Sequence, residues 1–364
     1  MQKLFAIFHG YILVLGLTSY RLVNGRFLQT RLTKTYAWIV NLGLLTALPY
    51  CLWGVANYLS ALPLLPRFIK IAPYVLNSIN YVVIVYTMAL RGQRDRIILD
   101  MHKLITQVNR EMARSGKKTS SKLWGLLYSK IAGVVYTALS HLMSSFIYGM
   151  PLEFCFKPRI SSLIVNIGSN LIVANVFLYF LAFWHIARGY DFINQRIKEL
   201  IPHSESKKKE LSRLWALHFK LSRAAKRIHD FFGPQLLAGR FNYFIVSVVN
   251  SFLGILFWKD GTTPSIFLYL WVIFFAMRTF GSFLIDYIVG LATEYQSKRR
   301  DLVTEEDTMS KETSAYIIYE STMKLDLKIC GLFTVNQVTW LQMMELILSF
   351  FIVLLQFHLV LGTK

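Results

Sequence analysis

The stretch SFFIVLLQF, residues 349–357, points to the fold of this chain. It belongs to a long apolar segment near the end of the sequence, and its one amide side chain, Gln356, comes close to the end of that segment. An amide buried in hydrocarbon without a hydrogen-bonding partner costs about 2–7 kcal/mol. The segment is therefore expected to cross a membrane with Gln356 facing protein or water rather than lipid.

The composition of the whole chain also indicates an integral membrane protein. Its 364 residues are 54% hydrophobic and 16% charged, whereas a soluble domain carries about 25% charged residues. Seven segments are long and apolar enough to span a membrane, and prolines lie in the connections between them. The predicted spans are 36–59, 72–90, 124–148, 161–187, 241–258, 265–290 and 332–361. These segments predict an all-α membrane protein with seven transmembrane helices.

The basic residues are distributed unevenly between the two sides of these spans. Of the 40 Lys and Arg residues, 32 fall in the first 34 residues and in segments 91–123, 188–240 and 291–331, and 6 fall in the connections on the other side. Basic loops stay in the cytoplasm. The N-terminus is therefore predicted to be cytoplasmic and the C-terminus extracellular. This distribution also explains the net charge of +20 by contact with anionic membrane lipid, without nucleic acid.

The segments predicted to be cytoplasmic contain further helices. Residues 5–20 are apolar but short for a span, which predicts an interfacial helix at the inner surface. Residues 210–233 carry apolar side chains at i, i+3 and i+4 spacing, which predicts an amphipathic helix. We expect helices prolonged beyond the membrane into a packed cytoplasmic anchor region. The alternative is a basic amphipathic helix that lies on the membrane surface.

The chain divides into three regions on this interpretation. Residues 1–35 form a cytoplasmic N-terminus with the interfacial helix, residues 36–331 form a six-span bundle with long cytoplasmic helical loops, and residues 332–364 form the final helix. A helix over 332–361 would rise about 45 Å, against about 30 Å of hydrocarbon. Its first third is therefore expected to stand in the cytoplasm.

The polar residues of the last span share one helical face. They follow one another at i, i+3, i+7 and i+14, and two valines lie on the same stripe: Gln342, Glu345, Ser349 and Gln356, with Val353 and Val360. Such a stripe must face protein or water. The core of one helical bundle could satisfy it. A water-filled pore built from several copies of this helix could satisfy it equally well, with the valines as a dewetting constriction.

The segment CGLFTVNQVTWLQMMELILSFFIVLLQF, residues 330–357, resembles the C-terminal signature of the insect gustatory receptors, within the insect chemoreceptor superfamily. That signature has Thr-Tyr, five apolar residues and Gln-Phe. Here Gln356 and Phe357 match, whereas Ser349 and Phe350 stand in place of Thr and Tyr, which puts in doubt any gating role for a tyrosine hydroxyl. Chain length, span number and long basic loops extend the resemblance over the whole chain.

The resemblance implies a taste receptor that is a subunit of a ligand-gated, non-selective cation channel. Such a subunit assembles with the same or related receptors as a homo- or heterotetramer in the plasma membrane of gustatory neurons, detects small-molecule tastants and drives acceptance or avoidance. The last helix lines the pore, and the pore and gate residues would be Gln356, Phe357, Val353, Ser349 and Val360.

The family resemblance also implies that the tastant binds among spans 2 to 6, toward their outer halves. Aromatic rings with a few amides suit a small organic ligand, although ordinary helix packing is the alternative for each residue. The candidates are Tyr74, Asn77 and Tyr81 on span 2, His141 and Tyr148 on span 3, Asn166 and Asn170 on span 4, and Tyr269 and Trp271 on span 6.

Besides Glu345 of the last span, three charged residues lie within predicted spans. Charges at such depth mark function or internal pairing. We expect Arg278 to pair with an acidic residue on another helix, and Lys130 to extend to the inner membrane surface. Asp286 lies two turns beyond Arg278 on the same span.

Other classes of protein find less support. The sequence contains no GxxxxGK[ST], HExxH or GxSxG motif, and we expect neither an enzyme nor a cofactor or metal site. The alternatives to a channel are a seven-span receptor that signals through a cytoplasmic partner and a membrane transporter. The cytoplasmic N-terminus and the lack of DRY and NPxxY motifs disfavour a G-protein-coupled receptor. A transporter should show repeated broken helices, and the sequence has no convincing pair.

Overall fold

The computed structural model describes residues 2–23, 26–61, 70–147, 158–200, 208–260, 265–297 and 325–362. These residues form nine helices and two short antiparallel hairpins, which confirms the prediction of an all-α fold. In chain order they are α1 (Gln2–Val14), β1 (Arg21–Val23), β2 (Arg26–Leu28), α2 (Arg31–Ala61), α3 (Ala72–Ala89), α4 (Arg91–Arg114), α5 (Ser121–Ile147), α6 (Pro158–Leu200), α7 (Lys208–Asp260), α8 (Ser265–Ser297), β3 (Lys328–Ile329), β4 (Phe333–Thr334) and α9 (Gln337–Gly362).

The helices follow the predicted spans closely. Within the described residues, five helices are long and apolar enough to cross a membrane: α2, α6, α7, α8 and α9. The pair α3 and α4 would make a sixth if it counts as one span, but the two helices meet at an angle of 64°. α5 coincides with the predicted span 124–148 up to residue 147. The number of seven spans and the orientation of the chain stay predictions.

Helix α6 is the centre of the bundle. It packs against α2, α5, α7 and α8, and large side chains in its middle, such as Trp184 and Tyr190, are completely buried. Their polar atoms find partners, as buried polar groups must. The indole Nε1 of Trp184 donates to the carbonyl oxygen of Leu123 at 2.6 Å, and the hydroxyl of Tyr190 lies 2.8 Å from that of Ser222.

Helix α7 continues without interruption from the predicted amphipathic segment into the predicted fifth span, over 53 residues. The apolar face of that segment is buried against neighbouring helices, as Leu217, Leu221 and Ala225 show. This confirms a packed region rather than a helix lying on a surface. We call the end of the bundle formed by α4, the first half of α7 and the hairpin β3–β4 the basic end.

The chain before α2 folds onto the corner between α3 and α4. Arg94 of α4 is buried and donates to the carbonyl oxygens of Leu17 and Thr87 at 3.1 and 2.8 Å. The neighbouring carboxylate of Asp95 accepts hydrogen bonds from the hydroxyls of Thr18 and Ser19 at 2.7 and 2.8 Å. The predicted N-terminal helix exists, but α1 ends at Val14 and the residues after it pair with α4 instead of continuing to residue 20.

The prediction that the final helix begins at residue 332 is wrong. Residues 328–334 form the hairpin β3–β4, whose turn contains Cys330 and Gly331, both with positive φ (49° and 76°), as a type I′ turn requires. α9 begins at Gln337, where Asn336 acts as the N-cap and its Oδ1 accepts from the backbone N–H of Thr339 at 2.8 Å. Its 26 residues span about 39 Å, and the end of the hairpin with the short connection after it takes the place of the first five residues of the expected helix.

Candidate pore-lining helix and internal cavity

Helix α9 attaches to the bundle by one side. Ile347 is buried against Tyr243 and Val248 of α7, and the ring of Phe252 contacts His358 with centroids 5.5 Å apart. Phe351 and two leucines of α9 also pack on α7. In the most apolar 18 residues of α9, only 6% are buried. This is the smallest buried share among the candidate spans in the described residues.

The polar stripe lies on the opposite side of α9. At 100° per residue, the residues of the stripe fall within about 80° of one another and roughly opposite the side that packs on α7. All six are exposed: Gln342, Glu345, Ser349, Val353, Gln356 and Val360. Phe357, beside the stripe, is 54% exposed. The helices of a single chain do not bury the stripe. The structure therefore does not have the alternative arrangement, in which the core of one bundle covers these polar residues.

A cavity of about 330 Å³ lies between α3, α5, α6, α7 and α8. These are the helices of predicted spans 2 to 6. The lining also includes Ile329 and Val335, from the hairpin region that leads to α9. The cavity therefore reaches the hairpin β3–β4 at the basic end.

The charged residues predicted within spans meet at this cavity, but their pairing differs from the prediction. Asp286 forms a buried ion pair with Arg240 of α7. Arg278 instead donates to the amide Oδ1 of Asn242 at 3.3 Å, so its expected acidic partner is not present in the described part of the chain. Lys130 does not extend to a surface. It is 5% exposed, and its Nζ donates to the carbonyl oxygen of Gly281 at 2.7 Å, because a buried ammonium group needs a hydrogen-bond acceptor inside the bundle.

The predicted pocket residues of span 2 face α2 rather than the cavity. The hydroxyl of Tyr74 donates to Asn57 Oδ1 at 2.6 Å. The amide of Asn77 and the hydroxyl of Tyr81 donate to backbone carbonyl oxygens of α2 at 3.0 and 3.2 Å. All three therefore hold α3 against α2.

The other predicted pocket residues that the structure describes are also absent from the cavity lining. Asn166 and Asn170 are buried on α6, where neighbouring positions line the cavity in their place. Tyr269 is 70% exposed, and Trp271 stacks on Phe275 with centroids 6.1 Å apart. The side chain of His141 and the whole of Tyr148 lie outside the described residues. None of the seven candidates whose side chains are described lines the cavity.

Sequence reasoning missed a chain of amides that crosses the cavity wall. Asn175 of α6 donates to Gln235 of α7 at 2.7 Å, and Gln235 in turn donates to Thr87 of α3 at 3.3 Å. Asn242 of α7 donates to Asn80 of α3 at 2.5 Å. The signal was available, because amides inside apolar helices must find partners. Among the described residues, no three His, Cys, Asp or Glu side chains cluster as a metal site would require.

An all-α bundle with several membrane-spanning helices, an internal cavity and an exposed final helix defines a multi-pass membrane protein. The family model described as 7tm chemosensory receptor matches residues 5–361, and the chain belongs to that family. Over 300 residues, 81% of its length, the chain is 38% identical to a protein of Drosophila erecta whose name, gustatory receptor 59b, is provisional. The chain spans about half, 51%, of the length of that relative.

Two solved structures share the fold. The insect olfactory receptor OR5 from Machilis hrabei has a TM-score of 0.69 and 11% identity, with 98% of each chain covered. The structure of the same receptor in complex with eugenol has a TM-score of 0.62 and 13% identity, with 97% of this chain and 98% of that chain covered. At these identities the likeness shows a common fold.

Proposed function

We propose that this chain is a subunit of a ligand-gated, non-selective cation channel that detects small-molecule tastants at the surface of gustatory neurons. One observation carries the proposal. The polar stripe of α9 is exposed on the side opposite its contact with α7. A span cannot expose glutamine and glutamate to lipid without a large cost, so the stripe needs water or another copy of the chain to cover it.

A ring of four subunits, the same or related, would provide both the water and the neighbouring copies that can cover the stripe. Four copies of α9 around an axis would direct Gln342, Glu345 and Ser349 toward a common water-filled path. Val353 and Val360 would narrow that path as apolar constrictions, and Gln356 and Phe357 would form the gate near its outer end.

The ligand belongs among α3 and α5 to α8. These helices enclose the cavity, and the candidate pocket residues were predicted on the spans that four of them form. Eugenol bound to an olfactory receptor of the same fold supports a small organic ligand here. The distribution of Lys and Arg supports a cytoplasmic basic end and N-terminus, with the C-terminus outside.

Cysteine cross-linking of the full-length receptor in cells tests the pore. The natural cysteines at 51, 155 and 330 are first replaced by serine. Gln356→Cys is compared with Ile347→Cys, whose position is buried against α7 of the same chain. We expect an oxidant to join copies of the chain through position 356 and not through position 347.

The same variants serve for whole-cell recording during a panel of small aromatic compounds that begins with eugenol. We expect a positively charged thiol reagent to reduce the evoked cation current of the Gln356→Cys variant only. Surface-expressed Gln356→Cys receptors that neither cross-link nor respond to the reagent would overturn the proposal.

A further inference from the structure

The cavity carries an excess of positive charge. Its lining includes three cationic side chains, Lys130, Arg240 and Arg278, and one carboxylate, Asp286. Among the residues that line it, the formal charge is therefore positive by two. Such an excess is unusual inside an apolar bundle, because a buried charge without an opposite charge is costly.

The one carboxylate does not neutralise the two remaining cations. Asp286 pairs with Arg240, and the side chains of both are shielded, at 5% and 14% exposure. The contacts of Lys130 and Arg278 within the described part of the chain are neutral. Lys130 donates to the carbonyl oxygen of Gly281, and Arg278 donates to Asn242 and lies 5.8 Å from the ring of Tyr243.

Both cations are held at the same stretch of α8. The Nζ of Lys130 is bonded to Gly281, which is three residues beyond Arg278. Three residues of helix correspond to about 4.5 Å along the axis. The same stretch of α8 thus carries Arg278 and accepts the hydrogen bond of Lys130, and both side chains line the cavity. An arginine in a protein cannot become neutral by losing a proton.

The rest of the lining is mainly apolar and lies on all five helices, for example Val83, Val134, Ile172, Leu236 and Phe274. The volume of 330 Å³ lies at the lower end of the range for small-molecule sites. The cavity therefore fits a compact apolar body, and its two cations fit a negatively charged group on that body.

We propose that this cavity binds an amphipathic organic anion, with its carboxylate or phosphate group between Lys130 and Arg278 and its apolar body among the surrounding helices. A soluble organic acid and an anionic lipid of the bilayer both offer this chemistry. The proposal concerns binding alone and does not depend on channel activity.

Calorimetry on the full-length receptor in phosphatidylcholine nanodiscs tests the site. The probes are 4-phenylbutyrate and 4-phenylbutanol, which share one apolar body and differ in charge. We expect the anion to bind about ten-fold or more tightly than the alcohol, the ratio expected of a charge-assisted hydrogen bond. Equal affinities of the two probes would overturn the proposal.

The nanodiscs also distinguish the two sources of the anion. If phosphatidic acid weakens the binding of phenylbutyrate, a lipid headgroup competes for the cavity. If phenylbutyrate binds equally well in both kinds of disc, the ligand is a soluble acid. Either result supports an anion site.

Variants place the site at the two cations. Lys130→Met and Arg278→Met should each remove the preference for the anion, whereas Arg227→Met, at an exposed cation of α7 outside the lining, should keep it. If Arg278→Met fails to fold, Val134→Glu takes its place. Position 134 lines the cavity one turn from Lys130, so an internal carboxylate there should abolish anion binding. An unchanged preference in the folded variants contradicts the proposal.

Discussion

Gly254 of α7 lies directly against the indole ring of Trp271 of α8, and a Cβ atom at position 254 would overlap that ring. Phe275 stacks on the same indole, with the two ring planes at 14° to each other. The close approach of α7 and α8 away from the basic end therefore depends on the absence of a side chain at one position.

Replacement of Gly254 by alanine should separate the two helices and destabilise the receptor by about 1–3 kcal/mol, the usual cost of overpacking. Thermal unfolding of the purified protein measures the effect. Gly239→Ala is the matched control on the same helix, because a Cβ atom there meets nothing within 4 Å. The double variant Gly254→Ala with Trp271→Leu should recover most of the loss. A melting temperature unchanged by Gly254→Ala would disprove the contact.

Removal of Asp286 should be among the most damaging single changes in the bundle. Asp286→Leu leaves Arg240 buried without its opposite charge, which costs about 3–5 kcal/mol. Arg240→Met combined with Asp286→Leu should restore much of the stability, since it removes both charges. The exposed pair Arg227–Asp100 is the control, and Arg227→Met should cost about 1 kcal/mol or less. Equal losses at the two pairs would contradict the burial argument.

The hairpin before α9 should depend on its turn. Gly331 has a φ of 76°, a conformation that costs a residue with a side chain about 1–2 kcal/mol. Gly331→Val should therefore lower the surface level and the melting temperature, whereas Cys330→Asn should be tolerated because asparagine adopts positive φ readily. Leu332→Ala, at an exposed position of the same turn, controls for loss of an apolar side chain. A larger effect of Cys330→Asn than of Gly331→Val would refute the turn geometry.

A tag at the C-terminus should be reached by antibody on intact cells, and a tag at the N-terminus only after permeabilisation. The reason is the concentration of 32 of 40 Lys and Arg residues in segments on one side of the predicted spans. The opposite pattern would invert the proposed topology. Detection of both tags on the same side would mean an even number of spans.

The positions of the helices could be predicted from the sequence, because apolar length and 3.6-residue periodicity are local properties. Residues 72–90 and 210–233 illustrate this, with bounds close to those of α3 and with Leu217 and Leu221 buried as expected. The start of α9 could not be predicted in this way. The apolar stretch KICGLF, residues 328–333, has the hydropathy of a helix that continues into the span, but the backbone turns at Cys330 and Gly331, where φ is positive. Nor was α4 expected as a separate 24-residue helix beyond the bend.

The cavity was harder to predict than the polar stripe of α9. All residues of the stripe lie on one helix, so their common face follows from spacing alone. The cavity instead depends on how five helices are rotated against one another. On α3, Asn80 faces the cavity while Asn77 and Tyr81 bond to α2. A rotation of 100° per residue separates these outcomes, and only tertiary packing fixes it.

Pro234 divides α7 at the place where its packed first half gives way to the half that holds α9. Proline supplies no backbone N–H and its ring crowds the carbonyl four residues earlier, so the helix is most easily bent there. Asp260 lies about 39 Å beyond this point. A tilt of about 5° at such a pivot displaces the far end by about 3 Å, and α9 rests on the moving arm. If subunits meet through α9 as proposed, a slight bend near the midpoint of this 53-residue helix would shift the last helices of neighbouring subunits by a few ångströms relative to one another.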